Sequence, residues 1–167
     1  LAKFAQVKGK KIKVLAVDPD TSKIKFINDI VNKNKLQDYI ITVNSAVGDD
    51  FSKASIVKHQ TKKSGRKKPL HNGAWQVKND TNGDIDVVPL DHIYNSLKLD
   101  DYTLTILHLD VEGSEFKIMQ GAIGLLLKNH PLCIFELFNK NNTRIKQVMG
   151  LLGFSSSGIL RRDNNNE

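Results

Sequence analysis

The chain has 167 residues, a formal net charge of +7, and 40% hydrophobic and 26% charged residues. This length and apolar content fit one globular domain with its own core. No apolar run is long enough to span a membrane. The single cysteine, Cys133, excludes an internal disulfide and favours the cytoplasm. It lies in an apolar strand, which indicates a buried, unreactive thiol.

Helices and strands are expected to alternate in the first fifty residues. Four elements are predicted: a helix within residues 1–9, a strand at 11–18, a helix at 21–34 and a strand at 39–46. The first of these strands ends in Asp18, and the second ends in the polar pair Asn44-Ser45 before Ala46.

A small antiparallel insertion is expected next, with short strands at 51–57, 74–78 and 85–88. A lysine- and arginine-rich stretch, residues 58–73, lies between the first two of them and predicts a solvated basic loop. Such a patch could also bind an anionic partner. Trp75, downstream, is the one aromatic residue near it, which argues against nucleic acid as that partner.

Alternation resumes in the second half of the chain. The predicted elements are a helix at 90–97, a strand at 104–110, a helix at 114–127, a strand at 132–138, a helix at 142–152 and a strand at 154–160. This order indicates a parallel sheet covered by helices. Residues 1–160 are therefore expected to form the domain, and residues 161–167 a polar tail.

The strand at 104–110 ends in the most informative segment of the chain. Asp110 and Glu112 lie on the same side of an extended chain, Gly113 allows a tight turn, and the Ser114 hydroxyl can cap the next helix. Ligands of open α/β sheets bind at the carboxyl ends of the strands, so two acids there indicate a site. An acidic, solvated loop is the alternative.

Five segments occur in a characteristic order: Asp18-Pro19, Ala46-Val47-Gly48-Asp49, Leu90-Asp91, Asp110-Val111-Glu112-Gly113-Ser114-Glu115, and the strand from Pro131 to Glu136. Together they resemble the FkbM family of S-adenosylmethionine-dependent methyltransferases over roughly residues 1 to 155. The resemblance implies an α/β fold with a Rossmann-like class I methyltransferase sheet, helices on both faces and S-adenosyl-L-methionine as cofactor.

The resemblance also implies cofactor-binding and catalytic residues. Asp18 would accept hydrogen bonds from the ribose hydroxyls, because a carboxylate can take two donors. Ser45 and Ala46 would lie near the adenine and contribute mostly backbone. Asp110 and Glu112 would bind the amino group of the cofactor, or orient and deprotonate an acceptor hydroxyl.

Four further residues have weaker or competing assignments. Glu136 and His108 would line the acceptor side of the pocket, although the family often has lysine where His108 stands, and a core histidine is the alternative. Glu115 matches the motif and equally suits the first turn of a helix, as does Asp91. A metal held by Asp110, Glu112 and Glu136 is compatible with hard-cation chemistry, but no spacing requires one.

The glycine-rich turn that ends the first strand of such a fold is missing from residues 1–9. We therefore expect a fragment that starts just after this motif and lacks the central first strand. Two strand edges would lose their hydrogen-bond partner, so the chain alone is expected to be unstable or inactive.

The function implied by the resemblance is O-methylation of a hydroxyl on a sugar or other small molecule. One alternative is a catalytically inactive methyltransferase-like module that binds an anionic partner through residues 58–73. Another is a dinucleotide oxidoreductase, because an acid after the second strand serves ribose in both folds. The segment from Asp110 to Gly113 argues against the oxidoreductase, which has no need of it.

Overall fold

The computed structural model describes residues 1–58, 75–99, 102, 105–111, 113–135, 142–156 and 158. The side chains of residues 58, 75, 76 and 142 are outside this description. Most of the basic stretch 58–73 and all of the tail 161–167 also lie outside it. Within the described part of the chain, no helix combines the length and the apolar character needed to cross a membrane.

The chain has a mixed α/β fold. The elements are α1 (Ala2–Lys8), β1 (Val14–Val17), α2 (Thr21–Lys33), β2 (Ile40–Val43), β3 (Ala46–Gly48), β4 (Ser52–Lys58), β5 (Trp75–Asn79), β6 (Ile85–Pro89), α3 (Leu90–Ser96), β7 (Ile106–Leu109), α4 (Glu115–Gln120), α5 (Ile123–Asn129), β8 (Leu132–Phe135) and α6 (Asn142–Leu151). Helices and strands alternate except for the run of strands from β2 to β6 and the helix pair α4 and α5.

Parallel pairing joins two pairs of strands that are far apart in sequence. β1 pairs with β2, with Val14 opposite Ile40, and β7 pairs with β8, with Ile106 opposite Leu132. Neither β1 nor β7 has a second partner among the described residues. Each of these two strands therefore presents one edge without a paired strand, and such an edge can accept another strand.

The inserted strands β4, β5 and β6 form a separate four-stranded sheet together with β3, in the order β3-β6-β4-β5. β4 pairs antiparallel with both β5 and β6, while β3 pairs parallel with β6. The single strand expected at 39–46 is wrong, because the chain leaves the β1-β2 pair after Val43 and enters this other sheet at Ala46. The Asn44 amide holds this change of direction by donating to the carbonyl oxygens of Asp18 and Pro19, at 3.0 and 3.1 Å.

α1 and α2 pack with the β1-β2 pair. Ala2, Val31 and Leu36 form a small buried cluster there, with Val14 and Ile40 packed against it. Asp20 begins α2, because its carboxylate accepts the Ser22 N–H at 2.8 Å and so satisfies a backbone donor of the first turn. The helices predicted near residues 1–9 and 21–34 are confirmed.

The larger core lies between β7, β8 and the helices that follow β7. Met119, Leu126 and Ile145 are its most deeply buried apolar side chains. The continuous helix expected at 114–127 is wrong, because α4 ends at Gln120 and α5 begins at Ile123. The break places the Gly121 carbonyl where the Asp91 N–H donates to it at 2.8 Å.

The last strand expected, at 154–160, does not form in the part of it that the structure describes. Residues 154–156 and 158 are in no strand. The Phe154 N–H instead donates to the Met149 carbonyl at 2.9 Å, and the Phe154 ring packs against the core. This segment therefore continues from the end of α6 as a packed turn.

Candidate functional site

A cavity of about 560 Å³ lies where several chain segments meet. Its volume is within the range of small-molecule sites. Four segments line it: the end of β1 with the start of α2, the junction of β2 and β3, the β7–α4 connection with the first turn of α4, and the inner face of the inserted sheet. The lining includes Asp18, Ser45, Ala46 and Asp110, so the structure brings together four of the residues that the sequence predicts for the site.

Asp18 directly follows β1 and is partly buried. Its Oδ1 accepts the Asp20 N–H at 2.8 Å, and its Oδ2 lies 3.4 Å from Lys23 Nζ. A carboxylate has about four acceptor positions, so both oxygens can accept further hydrogen bonds from a ligand in the cavity. The turn at Asp18-Pro19-Asp20 thus fixes the carboxylate at the cavity wall without using up its acceptors.

Asp20 is a second acid at the same wall. Hydrogen bonds from the side chain and backbone of Ser22 lower the pKa of Asp20, with a smaller contribution from Lys23. The Asp20 carboxylate is therefore ionised at neutral pH, but it is committed to capping α2. Asp18 is the better candidate for ligand binding, because its carboxylate does not cap a helix and keeps acceptor positions for a ligand.

Ser45 and Ala46 are buried at the junction of β2 and β3, with 4% and 3% of their surface exposed. The Ser45 hydroxyl oxygen is buried and has no hydrogen-bond partner in the described part of the chain. An unpaired buried polar group is costly, and such groups are rare in folded proteins. Ser45 lines the cavity, but its hydroxyl oxygen has almost no exposed surface, so a ligand can complete its hydrogen bonding only after the side chain turns toward the cavity.

Asp110 is exposed at the carboxyl end of β7 and lines the same cavity. The turn behind it needs a glycine, because Gly113 has φ +98°. Ser114 stands at the N-cap of α4 but makes no side-chain cap hydrogen bond, so the capping role expected for its hydroxyl is wrong.

Glu115, the first residue of α4, holds the turn that follows Asp110. Its side chain is fully buried, and its Oε1 accepts the Gly113 N–H at 2.9 Å. Its Oε2 is buried with no described partner. The alternative assigned to Glu115, a local role at the start of the helix, agrees with this contact, which ties the turn to α4.

The remaining predicted residues divide into three groups. Glu112 and Glu136 lie outside the described residues. His108 is exposed on β7 rather than in the core, and it is not part of the cavity lining. Asp91 has a structural role, because its carboxylate oxygens accept the N–H groups of Gly124 and Leu125 at 2.8 and 2.7 Å.

The inserted sheet contributes lining residues that the sequence analysis did not identify. Ile56, Val77, Asn79 and Val87 all line the cavity. The period-two pattern of the inserted strands shows that one face is apolar, but no sequence signal places that face against Asp18 and Asp110. Across the described ranges, no group of three His, Cys, Asp or Glu residues could hold a metal ion.

Comparison with known proteins assigns the chain to a family. A family model described as the Methyltransferase FkbM domain matches residues 1–157. The fold is similar to the crystal structure of Methyltransferase FkbM from Methylobacillus flagellatus KT, with a TM-score of 0.54 and 18% sequence identity. That match covers 90% of this chain and 32% of the other, so the chain spans about a third of that protein's length. No curated protein matches the chain.

Proposed function

The chain belongs to the FkbM methyltransferase domain family, and we propose that it is the cofactor-binding part of an S-adenosyl-L-methionine-dependent methyltransferase. The proposed acceptor is a hydroxyl of a sugar or another small molecule. The observation that carries the proposal is the presence of Asp18, Ser45 and Asp110 around one cavity.

These residues match the chemistry of the proposed cofactor. Its ribose presents two hydroxyl donors, and the Asp18 carboxylate has acceptors free for both. Its amino-acid end carries an ammonium group, which a carboxylate such as Asp110 can bind with a charge-assisted hydrogen bond. Ser45 and Ala46 would contact the adenine, mostly through their backbone. These residues reach the cavity from three different segments of the chain, which fits a ligand with three distinct parts.

S-adenosyl-L-methionine supplies a methyl group on a positively charged sulfur, which is already a good leaving group. The protein therefore has mainly to position the acceptor in line with that methyl group. Asp110 is exposed at the carboxyl end of β7, where its carboxylate can, as the alternative to binding the ammonium group, orient an acceptor hydroxyl and take its proton. Glu112 stays a proposed catalytic residue beside it, and Glu136 and His108 stay proposed acceptor contacts.

Binding of S-adenosyl-L-methionine, measured by titration calorimetry, tests the proposal. Because β1 and β7 each have an edge with no described partner, the measurement uses this 167-residue chain and the complete native gene product. Asp18→Ala should abolish measurable binding, since two ribose hydrogen bonds are lost. Asp29→Ala, at an exposed acid of α2 outside the cavity lining, is the matched control.

The two samples separate the possible outcomes. Binding by the native gene product that Asp18→Ala removes and Asp29→Ala leaves intact would support the proposal. Binding only by the native gene product would further show that residues 1–167 alone do not form the complete site. If neither sample binds, the methyltransferase proposal fails, and anion binding by residues 58–73, with steep salt dependence, becomes the function to test.

A further inference from the structure

Two cations lie beside the cavity, and the function proposed above uses neither of them. Lys117, in the first turn of α4, is exposed and lines the cavity. Arg144, near the start of α6, is exposed and stacks on the ring of Phe116, with its guanidinium carbon 4.5 Å from the ring centre. Phe116 also lines the cavity, so the stack places the Arg144 guanidinium close to the side that α4 forms.

The packing of α4 on α6 holds this stack in place. Ile118 of α4 and Ile145 of α6 belong to one buried cluster. Ile145 directly follows Arg144, and Ile118 lies two residues after Phe116, so both members of the stack are next to side chains fixed in the core. A guanidinium held over an aromatic ring keeps its N–H donors at its edge, and it loses less side-chain freedom when these donors bind a ligand.

The charges around the cavity are separated by element. The acids of the lining lie in the turns that follow β1, β3 and β7, where the positively charged cofactor is proposed to bind. They are Asp18, Asp20, Asp49 and Asp110. Lys23 lines the cavity as well, but it is paired with Asp18. Within the described ranges, neither Lys117 nor Arg144 forms an ion pair with an acid. An anion therefore suits the side formed by α4 and α6.

We propose that the methyl acceptor carries a phosphate group and that Arg144 and Lys117 bind this group. The guanidinium donates parallel hydrogen bonds to two phosphate oxygens, and the ammonium adds a compact positive charge. With the phosphate held, a hydroxyl of the same molecule is positioned against the methyl group of the cofactor. The net charge of +7 favours the approach of such an acceptor. This assignment rests on the proposed methyltransferase function, and it narrows the acceptor to phosphorylated hydroxyl compounds.

The test uses inorganic phosphate, which presents the anionic group alone. The native gene product is saturated with S-adenosyl-L-homocysteine by calorimetric titration, and phosphate is then titrated at constant ionic strength. Arg144→Gln and Lys117→Gln should each weaken phosphate binding about tenfold or more, because each removes a charge-assisted hydrogen bond. Lys146→Gln is the matched control. It removes the same charge from an exposed position of α6 outside the cavity lining, and should leave phosphate binding unchanged.

Two further variants test the stack itself. Phe116→Leu keeps an apolar side chain but removes the ring beneath Arg144, so phosphate binding should fall about two- to fivefold, less than in Arg144→Gln. Arg144→Lys keeps the charge but not the planar pair of donors, and should restore only part of the binding. Thermal unfolding of each variant, followed by circular dichroism, shows whether it is folded.

The outcomes distinguish this inference from the function beneath it. If the protein binds S-adenosyl-L-homocysteine but not phosphate, or if folded Arg144→Gln and Lys117→Gln bind phosphate as Lys146→Gln does, the phosphate site is overturned and the methyltransferase proposal stands. The same conclusion follows if Lys117→Gln weakens binding of S-adenosyl-L-homocysteine and not of phosphate, since Lys117 would then contact the cofactor. Phosphate binding with the expected pattern but without S-adenosyl-L-homocysteine binding would keep the anion site and overturn the proposed function. Absence of both would overturn both.

Discussion

Gly121 packs its backbone so closely on the carbonyl oxygen of Gly48 that a β-carbon at position 121 would overlap this oxygen. The contact joins the end of β3, where the inserted sheet begins, to the break between α4 and α5. Neither backbone can move away freely, since the Gly121 carbonyl also accepts the Asp91 N–H. The glycine is therefore required by space, and its φ is not in the left-handed region.

We expect Gly121→Ala to lower the free energy of unfolding by at least about 3 kcal/mol, the upper end of ordinary overpacking costs, because the clash is with backbone. Gly150→Ala is the matched control. It lies in α6 with open space where a β-carbon would stand, so the same replacement should be neutral or stabilising by up to about 1 kcal/mol. Urea unfolding of both variants measures the difference, and equal midpoints would contradict the close packing.

Asp91 provides a second prediction at the same junction. Its two carboxylate oxygens accept the N–H groups of Gly124 and Leu125, which are among the unsatisfied donors at the start of α5. Asp91→Ala should cost about 1–2 kcal/mol of stability, as loss of a helix cap does. Asp91→Asn keeps one acceptor oxygen, so its stability should lie between that of the unmodified chain and that of Asp91→Ala. If Asp91→Ala instead left stability unchanged and impaired cofactor binding, Asp91 would belong to the site.

The positions of most strands along the chain could be predicted from the sequence, whereas the breaks between β2 and β3 and between α4 and α5 could not. Apolar runs that end in acid locate β1 and β7 in the sequence, because strand alternation and turn residues are local signals. The break at Gly121 depends on its contact with Gly48, which is more than seventy residues away in the chain. The same holds for the change of sheet at Ser45, which the Asn44 contacts with Asp18 and Pro19 stabilise.

The candidate site divides in the same way. Asp18 and Asp110 could be predicted because each follows a strand whose end has a recognisable pattern. The sequence predicts Ser45 and Ala46 at the end of one strand, whereas they lie at the junction of β2 and β3, with Ala46 as the first residue of β3. The lining residues of the inserted sheet could not be predicted, because the orientation of this sheet relative to the other strands is set by packing between elements. Strand alternation alone does not place a residue in the cavity, as His108 shows. The alternation puts His108 on the same strand face as Asp110, but His108 lies further from the end of β7 and does not line the cavity.

The contact between Glu115 and Gly113 predicts how the Asp110 turn is held. Glu115→Ala removes the acceptor of the Gly113 N–H, and it should cost about 1–3 kcal/mol of stability through the unpaired donor and the space left behind. Glu115→Gln retains an acceptor oxygen and should keep most of this stability. If the turn positions Asp110, Glu115→Ala should also weaken S-adenosyl-L-methionine binding in calorimetry, while Glu115→Gln should not.

Cys133 gives a prediction that depends on pH. Burial raises the pKa of the Cys133 thiol from 9.0 to about 11. The folded chain therefore favours the neutral thiol, so the stability that this group contributes is fully present below about pH 9 and is lost as pH rises from 9 toward 11. The thiol should also react more slowly in the folded chain, because the thiolate is the nucleophile and the raised pKa leaves less of it.

At about pH 8.5 the folded protein should react with iodoacetamide roughly ten to a hundred times more slowly than the same protein unfolded in urea, since two pKa units correspond to about a hundredfold less thiolate. Mass spectrometry of the alkylated protein follows the reaction. Cys133→Ala should remove all labelling and should flatten the loss of stability between about pH 9 and 11. Equal rates in the folded and unfolded states would mean that β8 does not bury this thiol, and that the core around it opens more readily than its packing implies.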